Sequence, residues 1–283
     1  MSAACALCGE TRRRTVLRHR DGVLVRCARC GLVFVDPMPS PSEAIVPYDA
    51  TYFHRATGYR DYAGEERVFR AEFRRRLRRA GLRARRPAAP GGRRLLDVGA
   101  ATGAFLAEAR ARGFDVAGIE PSPAAAAARA RGFDVFEGPI EAATYAPSSF
   151  DVVTIQDVLE HLVDPCGALR LVGGWLRRGG ALVVTVPDFG GWWARTSGAR
   201  WPMITPKEHL HYFTRRTLRR LLRATGFEVE AIGLAGTPVS YGSLARKALG
   251  PIGPAIERSL GPLASRGTAL PFGTLFAVAF RAR

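Results

Sequence analysis

The chain is predicted to be α/β: a mostly parallel sheet with helices on both faces, preceded by a small cysteine-built ribbon. Three observations predict it. From Arg93 onward, short apolar runs alternate with helix-patterned segments, the alternation expected of a parallel sheet covered on both faces. The first of these runs, "LLDVGAATG", breaks at glycines and passes into a helical pattern. Near the start, Cys5, Cys8, Cys27 and Cys30 form C-x2-C, eighteen residues, C-x2-C.

The cysteines come first along the chain. Their spacing is that of a four-thiolate zinc ribbon, and Gly9 and Gly31 in "CALCG" and "CARCG" relieve the two knuckles. Four thiolates satisfy tetrahedral zinc and leave no open position, so the expected metal is structural. Two disulfides are the alternative, which a leaderless chain in a reducing compartment disfavours. Cys166 reads as a small buried hydrophobe near a helix start. The expected organisation is a ribbon over residues 1–40, an aromatic-rich and helical linker over 41–90, and the sheet domain over 91–283. The linker carries Tyr48, Tyr52, Phe53, Tyr59 and Tyr62, then an arginine-rich helical pattern to about Arg86, then the "PAAPGG" break.

Within the sheet domain, strands are expected at Leu95–Gly99, Val116–Glu120, Val135–Gly138, Val152–Gln156, Leu182–Pro187, Val229–Leu234 and Leu275–Phe280. Residues 236–273 are broken by Gly and Pro too often for long helices, and read as a variable insert before the last strand.

Composition narrows the class. Apolar content of 47% and charged content of 24% are those of a globular chain. No run of 18 apolar residues and no leader-like start is present, so the expected location is cytoplasmic. The net charge of +17 points toward polyanions. Lys207 and Lys247 are the only lysines, however, and the arginines are spread among alanine and glycine as a GC-rich coding sequence spreads them. RNA is therefore a secondary expectation.

Ligands of such sheets sit at the carboxyl ends of the strands, at the switch point. The turn is neither G-x-G-x-x-G, since Ala101 and Ala104 replace two glycines, nor a P-loop, since no G-K-[ST] follows. Asp97 at the strand tip would repel a pyrophosphate and suits a ligand carrying positive charge. S-adenosylmethionine brings an ammonium and a sulfonium and no phosphate. Gly99 and Gly103 allow close backbone approach, and Glu120 at the second strand tip suits two ribose hydroxyls.

With these residues in hand, "LLDVGAATGAFL…VAGIEPSP" resembles the first two motifs of class I S-adenosylmethionine-dependent methyltransferases. "SSFDVVTIQDVLEHLVDP" resembles their fourth-strand motif. "HLHYFTRRTLRRLLRATGF" is similar to a segment of the subgroup that includes ubiquinone-biosynthesis O-methyltransferases. Many such bacterial enzymes also carry an N-terminal zinc ribbon and an aromatic "Y…YF…Y" exit. The resemblance implies a Rossmann-like seven-stranded sheet whose last strand is antiparallel. It implies that Pro121 joins the acids at the cofactor, that Pro139, Ile140 and Glu141 border the adenine, and that Gln156 and Asp157 flank the methionine moiety. Ala101 departs from the family glycine by one methyl group, which cofactor binding should tolerate.

Methyl transfer is an in-line displacement, for which the acceptor must lie about 3 Å from the methyl and a base must take any proton. On a helix, Asp157, Glu160 and His161 of "DVLEH" would share a face. They would then form a hard-metal site for Mg2+, as in the E-x-x-E-H motif of the ubiquinone enzymes; the alternative is internal hydrogen bonding. His209 and His211 share one side if extended, and are preferred to His161 as the base. Thr214 is expected to cap the next helix. The tryptophans of "GGWWARTSGARWPMI" read either as a lid or as packing against the N-terminal helix. The leading expectation is methylation of oxygen or carbon on a small-molecule acceptor. An RNA base methyltransferase and a non-catalytic zinc-ribbon binding module are the competing classes, and oligomeric state is left open.

Overall fold

The structure, a computed structural model, describes residues 4–44, 62–81 and 92–282. The tyrosines and Phe53 of the aromatic exit, apart from the Tyr62 backbone, and nearly all of the "PAAPGG" break lie outside the described residues. Two backbone knuckles open the chain, with Gly9 N–H donating to Cys5 O at 2.8 Å and Gly31 N–H to Cys27 O at 3.1 Å. Between and after them run three antiparallel strands: β1 (Arg13–His19), β2 (Gly22–Cys27) and β3 (Val33–Asp36). A single-turn helix α1 (Pro41–Ala44) follows, then α2 (Tyr62–Gly81). Phe69, Phe73 and Leu77, four apart, form the buried stripe of α2.

The main sheet takes β4 (Arg93–Val98), β5 (Phe114–Glu120), β6 (Asp134–Glu137), β7 (Phe150–Gln156) and β8 (Leu176–Pro187) as parallel strands. Helices α3 (Ala104–Arg110), α4 (Ala124–Ala130) and α5 (Pro165–Trp175) connect them. After β8 come α6 (Trp192–Ser197), the two-residue β9 (His211–Tyr212) and α7 (Arg215–Ala224). Thr214 caps α7 as expected, and Thr217 closes the capping box. The last pair is β10 (Phe227–Ser240) and β11 (Gly267–Arg281), with α8 (Tyr241–Ala248) and α9 (Gly253–Ser259) between them. The order across the sheet is β10-β11-β8-β7-β4-β5-β6, and β11 is antiparallel to both its neighbours. All seven expected strands are present, and the fold is the seven-stranded Rossmann-like one.

Both faces of this sheet are dry because successive residues of each strand are apolar. Leu96, Val153, Leu182 and Leu275 face one core, and Leu95, Val152, Val183 and Phe276 the other. The first core continues without a break into the ribbon, through Cys5, Leu7, Val25, Cys27, Cys30, Leu32 and Phe34. On the ribbon's other side, Leu24, Val33 and Val35 pack with Trp201, Ile204 and Tyr212. The loop after β8 is thus packed and not a lid over the cleft. Among the described residues its burial partner is the ribbon rather than the expected N-terminal helix, and Trp201 is 1% exposed while Trp192 remains 63% exposed.

The terminal pair departs from the expected boundaries. Pairing of β10 with β11 runs on past Ala235↔Thr274, through one irregularity, to Ser240↔Gly267. Gly236 and Pro238 read locally as breakers, yet β10 is an edge strand, where a missing donor is tolerated. The insert is therefore a long hairpin tipped by two short helices. Among the described residues no helix is long and apolar enough to cross a membrane.

Gly118 shows how tightly the sheet meets its crossover. A Cβ there would lie 2.7 Å from Ala100 Cβ, with Leu106 Cδ1 and Val135 Cγ2 at 3.2 Å. Gly118→Ala is expected to lower unfolding free energy by about 1–3 kcal/mol in urea denaturation; an unchanged midpoint would show that the turn after β4 moves freely.

Candidate functional site

The chain leaves β4 for β5 and β6 on one side and returns to β7 and β8 on the other, so the switch point lies at the tips of β4, β5 and β7. A cavity of about 540 Å³ opens there, within the range of small-molecule sites. Asp97, Gly99, Ala101, Glu120, Pro121, Ile140, Gln156 and Asp157 all line it. Gly103 does not. It precedes α3 at φ 79°, where a Cβ would lie 2.8 Å from the Phe133 ring. Gly99 is also left-handed, at φ 83°, and a Cβ there would overlap the Val158 side chain.

The lining is rich in acids. Asp97 is buried at the tip of β4, accepts from the Thr154 hydroxyl, and is pushed up to about 7 by burial. Glu120 is also raised by burial. Its two oxygens accept from Ala101 N–H at 2.8 Å and Ser122 N–H at 3.0 Å, which fixes the carboxylate across the cleft floor. Glu141, Asp157 and Asp164 add further carboxylates to the wall. An anionic phosphate is ill suited to such a cleft; a cationic ligand is favoured.

One residue of the wall escaped sequence reasoning. Arg76, only 4% exposed, reaches the cavity from α2 and donates through Nη1 to Gln156 Oε1 at 2.8 Å. Its Nε lies 3.4 Å from Glu72, itself buried. The one available signal was its place inside the Phe69–Phe73–Leu77 stripe, the buried face of an otherwise arginine-coated helix.

Backbone strain gathers at the same place. Ala101 and Asp157 are left-handed without being glycine, at φ 46° and 54°, a conformation that costs roughly 1–2 kcal/mol for a residue with Cβ. Asp157 is pinned by Thr185, whose hydroxyl donates to Oδ1 at 3.1 Å and whose carbonyl accepts from Asp157 N–H at 3.0 Å.

This conformation corrects the expected metal face. Asp157 ends the strand and only a 3-10 turn, Leu159–His161, follows, so no helix aligns Asp157 with Glu160 and His161. The cluster that does form is Glu160, His161 and His209, with ligand atoms all within 4.8 Å of one another. The His161 and His209 rings meet edge to face at 4.8 Å. The expected Mg2+ set is not supported.

The histidines separate for a related reason. Glu208 N–H and His209 N–H both bond to Thr205 O, so this stretch is a turn, and extension begins only at His211. His161 lines the cavity, His209 stands behind it, and His211 stacks on Phe213. His161 Nδ1 faces Glu208 O at 2.9 Å and His209 Nδ1 faces Met203 O at 2.8 Å. A carbonyl only accepts, so these contacts suit a proton on each Nδ1. Burial pushes His161 down to about 3 and His209 to about 4, which keeps both neutral. Glu160 is 1% exposed, is raised well above the carboxylate range by burial, and has no hydrogen-bond partner on either oxygen among the described residues.

The four ribbon cysteines also converge. Cys5 Sγ lies 3.5 Å from Cys30 Sγ and Cys8 Sγ lies 3.6 Å from Cys27 Sγ, all free thiols. Tetrahedral zinc with Zn–S bonds of about 2.3 Å needs sulfurs about 3.8 Å apart, so the knuckles fit that ion. Cys166 lies apart from this set, buried near the start of α5, with its thiol donating to Ala6 O at 3.2 Å.

Ala101→Gly is expected to raise stability by about 1 kcal/mol, because it removes the left-handed strain while keeping the amide that holds Glu120. Thermal denaturation checks this; a lower melting temperature would mean that the alanine methyl contributes more than its backbone loses.

Comparison with known proteins supplies the family. Residues 67–232, more than half of the chain, match the sequence model of the methyltransferase domain family. The ubiquinone biosynthesis O-methyltransferase of Aeromonas salmonicida (strain A449) is 29% identical over 164 residues, covering 53% of this chain and 69% of that protein. Among solved structures, a SAM-dependent methyltransferase from Archaeoglobus fulgidus aligns with TM-score 0.52 at 20% identity, over 78% of this chain and all of that one. The [4+2]-cyclase SpnF aligns with TM-score 0.50 at 24% identity, over 72% and 80%. At these identities the structural likenesses speak for the fold alone. The family match, joined to the acid-lined switch point, assigns the chain: it belongs to the methyltransferase domain family and is a class I S-adenosylmethionine-dependent methyltransferase.

Proposed function

We propose that this methyltransferase moves the methyl group of S-adenosylmethionine to oxygen or carbon of a small-molecule acceptor, at a centre formed by Glu160, His161 and His209. The observation that carries the proposal is the acid-lined cavity with His161 in its wall and, behind that wall, the buried Glu160, without a hydrogen-bond partner among the described residues, and the neutral His209. In this reading Asp97 faces the α-ammonium and Glu120 the ribose hydroxyls. Pro121 and Ile140 border the adenine. Gln156, Asp157 and Arg76 hold the methionine end, with the guanidinium of Arg76 against the carboxylate.

Two nitrogens and one carboxylate suit a divalent transition ion better than Mg2+, which prefers oxygen. Such an ion, when bound, acts as a Lewis acid that makes an acceptor hydroxyl easier to ionise. Glu160 and the Nε2 atoms of His161 and His209 would hold it, each ring fixed by the carbonyl behind its Nδ1. Imidazoles with basicity lowered this far serve better as ligands than as proton acceptors. His211, away from the cavity, supports packing in this reading. The Cys5–Cys8–Cys27–Cys30 set would hold structural zinc.

A small acceptor is favoured over RNA by how the ribbon is used: both faces of β2 and β3 are covered by the rest of the chain. The similar ubiquinone enzyme also acts, by its name, in the synthesis of a small molecule.

The test is incubation with methyl-labelled S-adenosylmethionine and a small-molecule extract, beside ribosomal RNA. Label is expected in a small product, and label confined to RNA would overturn the reading. Glu120→Ala is expected to weaken S-adenosylhomocysteine binding about tenfold in calorimetry, as loss of a charged hydrogen bond would. Glu160→Gln should leave that affinity intact, lower kcat, and abolish Mn2+ binding in a titration without acceptor.

A further inference from the structure

We infer that ribbon strand β3, closed at its base by the cysteine cluster, is a positioning element of the reaction centre, holding His209 and Glu160 in place through strand β9. The inference goes beyond the proposed function and rests on it in two respects, the choice of Glu160, His161 and His209 as the centre and zinc at the four ribbon cysteines.

The contacts form one continuous chain of backbone bonds. The Cys27–Cys30 knuckle leads directly into β3, with Cys27 N–H donating to Leu32 O at 2.9 Å. Strand β3 pairs with β9 at Val33↔Tyr212 and Phe34↔His211, and Val35 N–H donates to Leu210 O at 3.0 Å. Leu210 N–H donates in turn to Glu160 O at 2.8 Å. The adjoining Glu208 carbonyl holds the His161 ring. The peptide from Glu208 to Leu210 is therefore stitched to Glu160 and His161 on one side and to the ribbon on the other, with His209 between.

A two-residue strand has no stability of its own. Among the described residues strand β9 is paired with β3 alone, at the edge of the ribbon sheet. The Thr205 turn and the Met203 carbonyl set the His209 ring locally, and the ribbon is what braces the strand that follows it. The first knuckle is tied to the cleft as well. Ala6 O accepts from the Cys166 thiol at 3.2 Å near the start of α5, whose cap Asp164 lines the cavity. The side chains agree with the backbone, since Cys30, Leu32, Phe34, Leu159 and Phe213 share one core.

The experiment uses the full chain and three readouts: hydrogen exchange over residues 209–213, S-adenosylhomocysteine affinity, and kcat separately from KM. Val35→Pro removes the one N–H that reaches Leu210 and leaves the four thiols intact; Val35→Ala keeps that N–H and is the control. Val35→Pro is expected to retain zinc and cofactor affinity. Exchange over 209–213 should rise and kcat should fall, each about tenfold, with KM for S-adenosylmethionine unchanged. Val35→Ala, which loses only packing against Trp201 and Tyr212, should loosen 209–213 and lower kcat less than Val35→Pro does. Stripping zinc from the parent with a chelator should produce the same loosening, and this arm decides the matter if Val35→Pro does not fold. Unchanged exchange over 209–213 in zinc-loaded Val35→Pro, or in the stripped parent, overturns the inference, as does loosening with kcat retained. Absence of cofactor binding in the parent would count against the functional reading instead, and the exchange data would still judge the ribbon's role.

Discussion

Burying carboxylates around one cleft is the constraint on which the rest of this structure depends. Asp97, Glu120 and Glu160 are each at most 5% exposed, and burial raises all three. A buried charge without compensation costs several kcal/mol, so the fold supplies compensation where it can. Backbone amides of Ala101 and Ser122 hold Glu120, and the Thr154 hydroxyl holds Asp97. Glu160 receives no such partner among the described residues. An acid kept this way is a site of stored binding energy for a cation. Asp97 in the cavity suits an organic cation, and Glu160 behind its His161 wall, with two imidazoles, suits a metal ion.

The second organising feature is that the ribbon is not an appendage hung on the sheet. Its cysteines and strand residues belong to the same apolar core as β4, β7 and β8. Its own sheet is completed by β9, a strand from the far half of the chain. The tryptophan loop, which in isolation looks like a cover for substrate, is the packing that closes the ribbon's other face. Sequence-distant segments thus meet behind the histidines, and the geometry there depends on contacts between residues about 175 positions apart, Val35 and Leu210.

How much of this could be read from the chain varies with how local the cause is. The seven strands are continuous apolar runs, the acids Asp97 and Glu120 stand at run ends beside turns, and the cysteines carry their spacing in the open. Each of those is a short-range pattern, and each was legible. Thr214 was legible for the same reason, since a cap is decided within one helical turn. Arg76 was hidden because an arginine-rich helix offers many candidates and only tertiary contact selects one. The Asp157 conformation was hidden because a helical register was assumed where Thr185 pins the backbone left-handed. The alternation that made His209 and His211 look equivalent failed at the Thr205 turn. The length of β10 was masked by Gly236 and Pro238, breakers that an edge strand absorbs.

The central claim, that the cleft is an acid-lined seat for a cationic methyl donor, has a direct thermodynamic signature. Burial pushes Asp97 up to about 7, and a cation beside it should favour its ionised form. Calorimetric titration with S-adenosylmethionine slightly below neutral pH, in buffers of different ionisation enthalpy, is expected to show binding with release of a fraction of a proton, and Asp97→Asn should abolish the release. Binding of a dinucleotide in place of S-adenosylmethionine, or proton uptake where release is expected, would contradict the account.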